Sequence, residues 1–194
     1  HTARPDLWHS WSVLVGQLCD AKMAAEALPL AREAVERGAG FIALPENAFA
    51  MRREGQKGKA YPTADHPGVL WAQEFCAQHR VWMNIGSIRA EIEGEEKPTN
   101  RNVMIDDAGS IAVQYDKVHL FDVKLPDGTR YEESMHVIAG RERVLVDMHQ
   151  AVMGLSICYD LRFPEHYRAL ARAGVRRRWP RAGARAPAAA RPRQ

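Results

Sequence analysis

The segment Gly154-Leu155-Ser156-Ile157-Cys158-Tyr159-Asp160-Leu161-Arg162-Phe163-Pro164-Glu165 joins an apolar run, a thiol and a proline. Residues Val152–Ile157 carry no charge and have the length of a buried strand. Pro164 predicts the first position of a helix, where its missing N–H would be unpaired in any case. Gly174 predicts that helix's end. Strand, abrupt turn and helix form the geometry of a nucleophile elbow. The tight turn exposes one side chain, here Cys158, and points backbone N–H groups toward it. There is no Gly-x-Ser-x-Gly match, so the parallel concerns geometry only. A lone cysteine after a strand is usually a buried structural residue, so Cys158 needs partners before it implies chemistry.

Two partners stand upstream in similar settings. Phe41-Ile42-Ala43-Leu44 reads as a second apolar strand, ended by Pro45 and followed at once by Glu46. Ile111–Tyr115 reads as one arm of a hairpin, and Lys117 follows it. Its other arm is Asn102–Ile105, with Asp106-Asp107-Ala108-Gly109-Ser110 as the turn. Side chains at strand ends are held by a rigid sheet, which is a common way to assemble a site. A thiol, a carboxylate and an ammonium suffice for amide hydrolysis. The thiol needs a base, the oxyanion needs positive or N–H donors, and the leaving amine needs a proton. Taken alone, Glu46 reads equally well as a turn cap and Lys117 as a surface ammonium.

The remaining elements give an α/β alternation in the first half and hairpins in the second. Val13–Leu18 predicts a short buried strand. Ala24, Leu28, Ala31 and Val35 follow helical spacing, with Gly38 as a stop. Pro29 either kinks that helix or sits in the first turn of a shorter one. A helix is expected over Pro67–His79, with Val69, Ala72, Phe75 and Cys76 on one face. Val81–Ile88 predicts a strand and residues 91–98 a solvated loop. Val144–Val146 pairs with Val152–Ile157 around a His149-Gln150 turn. No internal repeat is present.

Three stretches together resemble the nitrilase (carbon–nitrogen hydrolase) superfamily. Leu44-Pro45-Glu46-Asn47 resembles its base motif. Tyr115-Asp116-Lys117-Val118-His119-Leu120-Phe121 resembles its lysine motif, and Gly154–Glu165 its cysteine motif. Their order and spacing also match, over about residues 12–175, closest to the Nit-like amidase branch of ω-amidase and deaminated-glutathione amidase. The resemblance implies a four-layer α-β-β-α sandwich, usually paired into homodimers, with no metal or organic cofactor. It implies Cys158 as nucleophile through a thioester, Glu46 as base and acid, and Lys117 with the Tyr159 N–H on the oxyanion. Tyr131-Glu132-Glu133-Ser134 fits the family's second-glutamate stretch, so Glu133 is expected to orient Lys117 and substrate. Arg162 and His166 read either as substrate contacts or as helix-surface residues. The implied substrate is a small ω-amide. Nitrilase and carbamoylase chemistry would use the same three groups.

Bulk properties narrow the classes. The chain has 194 residues, 46% hydrophobic and 26% charged, within the range of one soluble domain. No apolar run reaches the ~18 residues of a membrane span. The start at His1 carries no signal-peptide pattern and is read as an incomplete frame. Cys19, Cys76 and Cys158 form no CxxC pair, which points to free thiols and a cytoplasmic setting. The histidines show no HExxH-like ligand spacing, so no metal is expected. The net charge of +3 resides in the tail: residues 176–194 hold seven arginines, and the rest has 20 basic against 24 acidic residues. Neither a nucleic-acid nor a membrane partner follows from it.

Arg176–Gln194 is Arg/Ala/Pro/Gly-rich, with no aliphatic side chain larger than alanine. It is expected to be disordered and to form no core strand. It reads as a frameshifted end on a C-terminally incomplete domain. On that expectation sheet edges stay exposed, and the chain is weakly active or inactive.

Overall fold

The computed structural model describes residues 24–49, 59–148 and 151–177. The expected strand at Val13–Leu18, Cys19 and the His149-Gln150 turn lie outside them.

Helix α1 (Ala24–Glu36) runs through Pro29 unbroken. Gly38, at φ +91°, ends the segment. Strand β1 (Phe41–Ala43) follows, and α2 (Pro67–His79) opens on a proline as expected. The His66 Nδ1 accepts from the Gly68 N–H at 3.0 Å and caps it. Its buried face is Gly68, Val69, Ala72, Phe75 and Cys76, the spacing that places residues three and four apart on one side. Helix α2 is the crossover between β1 and β2 (Trp82–Asn84), which pair in parallel.

The single strand expected over Val81–Ile88 is two strands, β2 and β3 (Ile88–Ala90). Gly86 separates them with φ +72°, a conformation an L side chain adopts only under strain. Strands β4 (Thr99–Ile105) and β5 (Ile111–Asp116) form the expected hairpin, longer than its apolar residues indicated. One end of β4 pairs with β2 and the other with β3. The result is a five-stranded mixed sheet, order β1-β2-β4-β3, with β5 on the other side of β4.

A second antiparallel sheet contains β8 (Leu145–Met148), β9 (Ala151–Gly154) and β10 (Arg176–Arg177). The expected strand Val152–Ile157 therefore ends its ladder at Gly154. Leu155 still donates to Val144 O at 3.0 Å, and Ile157 stays extended at φ −131°. The reading of Arg176–Gln194 as wholly irregular is corrected at its start: Arg176 and Arg177 pair with Val152 and Ala151. Backbone pairing needs no apolar side chain, so composition hid it. Between β5 and β8 along the chain, β6 (Asp122–Lys124) and β7 (Arg130–Glu132) make a small hairpin. Helix α3 (Pro164–Ala173) ends at Gly174 with φ +118°, as the sequence indicates.

Alternation along β4 builds two cores. Val103 and Ile105 join Ile42, Val69, Phe75, Met83 and Ile85 on the helix side. Met104 joins Tyr115, Val146, Leu155 and Ile157 on the side of the second sheet. The Leu170 side chain of α3 lies over Gly154 of β9.

Candidate active site

Glu46 sits in a turn directly after β1. The turn is fixed from below. A Cβ on Gly86 would stand 1.7 Å from Pro45 O, so only glycine lets the chain before Glu46 pass this close. Asn47 adopts φ +56°, and its N–H donates to Ser87 Oγ at 3.0 Å. Asparagine tolerates that region better than most residues.

Lys117 is the first residue beyond β5. Its N–H donates to Asn100 O, and its carbonyl accepts from the Gly140 N–H at 2.8 Å. The side chain is 2% exposed, which removes the surface reading of this lysine. Its Nζ lies 3.0 Å from Glu46 Oε1 and 2.9 Å from Glu133 Oε2. Burial alone would lower its pKa. The hydrogen bonds and charges of Glu133 and Glu46 more than offset that, and the pKa is raised. Glu133 opens a short 3-10 turn (Glu133–Met135), and its Oε2 also accepts from the Phe121 N–H at 2.7 Å. Elements far apart in sequence therefore meet at one ammonium.

Cys158 is exposed and opens a 3-10 helix, Cys158–Arg162. Its φ is +45°, a left-handed conformation costing an L residue about 1–2 kcal/mol. Strain of this kind concentrates at functional turns. Although the residue is open to solvent, the protein around the sulfur still desolvates the thiol, and this raises its pKa. The charge and hydrogen bond of Glu46 raise it further, while Lys117 pulls the other way. The resting sulfur is thus a thiol beside a carboxyl group, and attack requires that a base take its proton.

Tyr159 packs its ring edge-on against Phe121 and Phe163, at 4.9 and 5.5 Å between centroids. Its N–H belongs to the first turn of the 3-10 helix, where no acceptor exists within the turn. Arg162 is exposed at the turn's end and forms no ion pair among the described residues. His166 corrects both of its expected readings. It is 1% exposed, and its Nε2 lies 3.2 Å from Leu155 O, so it is a core residue under the turn. Cys76 is fully buried in the helix-side core, and its thiol is pushed up to about 12 by desolvation, with Asp106 and Asp107 adding to the effect.

Two residues of the assembly carry no sequence signal of a role. Asn100, inside β4, donates from Nδ2 to Glu46 Oε1 at 2.7 Å and to Glu133 Oε1 at 3.3 Å. A polar residue in a strand looks solvent-facing until the register shows that it is buried. Asp160 lies within the cysteine segment, yet only the fold shows what its carboxylate holds.

A buried ammonium thus lies between two carboxyl groups, near a thiol on a left-handed turn of an α/β fold. The sequence profile of the carbon-nitrogen hydrolase family matches residues 17–177, and the chain belongs to that family. A deaminated glutathione amidase from Synechocystis sp. is 37% identical over 153 residues, covering 77% of this chain and 56% of the relative. The chain thus spans little more than half the length of that curated relative. The crystal structure of the Caenorhabditis elegans NitFhit protein superposes with a TM-score of 0.57 at 29% identity, covering 70% of this chain and 34% of that one. Saccharomyces cerevisiae Nit3, a member of branch 10 of the nitrilase superfamily, superposes with a TM-score of 0.59 at 20% identity. That match covers 82% of this chain and 56% of Nit3, and it shows the common fold. No helix among the described residues is long and apolar enough to cross a membrane.

Proposed function

We propose that this carbon–nitrogen hydrolase releases ammonia from a small amide through a thioester on Cys158. The observation that carries the proposal is the placement of Lys117 between Glu46 and Glu133, with Glu46 also beside the Cys158 thiol.

Cys158 Sγ attacks the amide carbonyl while Glu46 takes the thiol proton. The Lys117 ammonium and the Tyr159 N–H stabilise the oxyanion. Glu46 returns its proton to the departing nitrogen as the C–N bond breaks, giving ammonia and an acyl thioester. Glu46 then draws a proton from water, which attacks the thioester and frees the carboxylic acid and the thiol. Glu133 keeps Lys117 aimed at the reacting oxygen. These steps need neither a metal nor an organic cofactor. The same proposal includes the four-layer sandwich and homodimer that the family resemblance implies.

The relatives named as deaminated glutathione amidases favour an ω-amide on a carboxylic acid as the substrate class. The test offers the chain deaminated glutathione, a simple dicarboxylic acid monoamide, a nitrile and an N-carbamoyl compound, and measures ammonia and acid. Ammonia from the amides, lost in Cys158→Ser, supports the proposal. Preference for the nitrile or carbamoyl compound redirects it to the sister chemistries. A folded chain that releases no ammonia from any of them contradicts the proposal.

A further inference from the structure

Beneath the turn that carries Cys158 lies a buried carboxylate that the reaction above does not use. Asp160 is fully buried, and donors from two separate segments fill both of its oxygens. Oδ2 accepts from the Tyr115 hydroxyl at 2.6 Å and from the Ile157 N–H at 2.8 Å. Oδ1 accepts from the His119 N–H at 3.0 Å and lies 2.7 Å from His119 Nδ1. Ile157 immediately precedes Cys158, and Tyr115 and His119 flank Lys117. One carboxylate therefore grips the nucleophile turn and the lysine loop together. We propose that Asp160, with His119, is the positioning pair that sets Cys158 against Lys117 and Glu46.

The chemistry agrees with the geometry. Burial would raise the Asp160 pKa, but the hydrogen bonds from Tyr115, Ile157 and His119 outweigh it, and the pKa is lowered. An ionised carboxylate is an acceptor only, so His119 Nδ1 must present its proton to it. The His119 ring is in turn stacked on Phe163, 3.8 Å between centroids and 13° from parallel, which fixes its orientation from the far side of the turn. A charged acceptor with several donors is also the strong form of hydrogen bonding. His119, Asp160 and His166 lie close enough to suggest a cation site. Both Asp160 oxygens are already taken, however, so an ion would have to displace the donors that hold the turn.

The inference rests on the proposed thiol chemistry only in its choice of reacting atom, and its test needs no amide turnover. Iodoacetamide labelling of Cys158, followed by mass spectrometry of its peptide across pH, reports what the thiol senses. In the native chain that thiol faces Glu46, Glu133 and Lys117, and its titration is raised above that of an ordinary thiol. Freed from its turn, it should titrate as an ordinary thiol. His119→Ala is expected to move the labelling midpoint down, toward the free-cysteine range. His119→Asn, whose amide can donate to Asp160 in place of Nδ1, is expected to restore most of the native midpoint. Asp160→Asn should shift it as His119→Ala does; where that variant fails to fold, the His119 pair carries the test, because that side chain is 24% exposed. An unchanged midpoint in folded His119→Ala overturns the proposal, as does an equal shift in both His119 variants. Ammonia release is read in parallel. A shift with rescue in a chain that hydrolyses no amide leaves the positioning role standing and removes the amidase reading.

Discussion

Lys117 Nζ lies 3.0 Å from Glu46 Oε1 across 71 positions of sequence, and it is the more buried of the two. Taking an ammonium out of water costs several kcal/mol unless paired groups offset it. Here Glu46 and Glu133 do so together, and the lysine in turn holds the two carboxyl groups in one place. Lys117→Met leaves them facing each other in a partly buried space. The expected loss is about 2–3 kcal/mol, below the full value for a buried pair because both glutamates retain some solvent. Urea unfolding of the two chains measures it, and a loss below 1 kcal/mol would mean that the cluster does not form as described.

The turn at Cys158 makes the opposite trade. Its left-handed backbone serves chemistry at the expense of stability, so Cys158→Gly should stabilise the chain by about 1 kcal/mol while abolishing activity. Cys158→Ala should abolish activity without that gain, because alanine keeps the Cβ. Thermal unfolding of the three chains side by side separates the two effects. A melting temperature for the glycine variant no higher than that of the alanine variant would contradict the strained turn.

Gly86 supports the Glu46 turn from beneath. Gly86→Ala drives a methyl group into Pro45 O, since the added Cβ would stand 1.7 Å away. Backbone cannot yield as a flexible side chain would, so a destabilisation of about 3 kcal/mol or more is expected. Glu46 should be displaced with it. A folded, fully active Gly86→Ala chain would show that the approach of Pro45 is looser than described.

Acid should act through Asp160. Its folded pKa is lowered, so its contribution to stability is present above the unfolded aspartate value of about 3.9 and is lost as pH falls through the lower folded value. The stability difference between the native chain and Asp160→Asn should therefore be constant near neutrality and shrink below about pH 4. Denaturant titrations at a series of pH values read this directly. A difference that persists undiminished into strong acid would mean that the carboxylate is not held ionised.

How much of this was legible beforehand depended on what kind of signal each residue left. Pro67, Pro164 and Gly174 marked helix ends correctly because proline and glycine act through their own backbone. The helix-side face of α2 followed from spacing alone. Glu46 and Lys117 stood out only beside Cys158, and Glu133 only through the family resemblance; the structure brings Lys117 to both glutamates. What periodicity could not show was set by contacts distant in sequence. Gly86 divides an apolar run because Pro45 passes over it. Asn100 and Asp160 look like ordinary polar residues until register and burial place them. Arg162, beside the nucleophile in sequence, lies at the exposed end of the turn, and His166 lies beneath it.

The most direct test of the central claim is to quench the chain in acid while it is turning over a dicarboxylic acid monoamide and weigh the Cys158 peptide. The account predicts a gain equal to the acyl group, together with ammonia equal to the sum of trapped acyl groups and free acid, and neither in Cys158→Ser. Ammonia release that survives Cys158→Ser, or turnover with the acyl group on another residue, would contradict it.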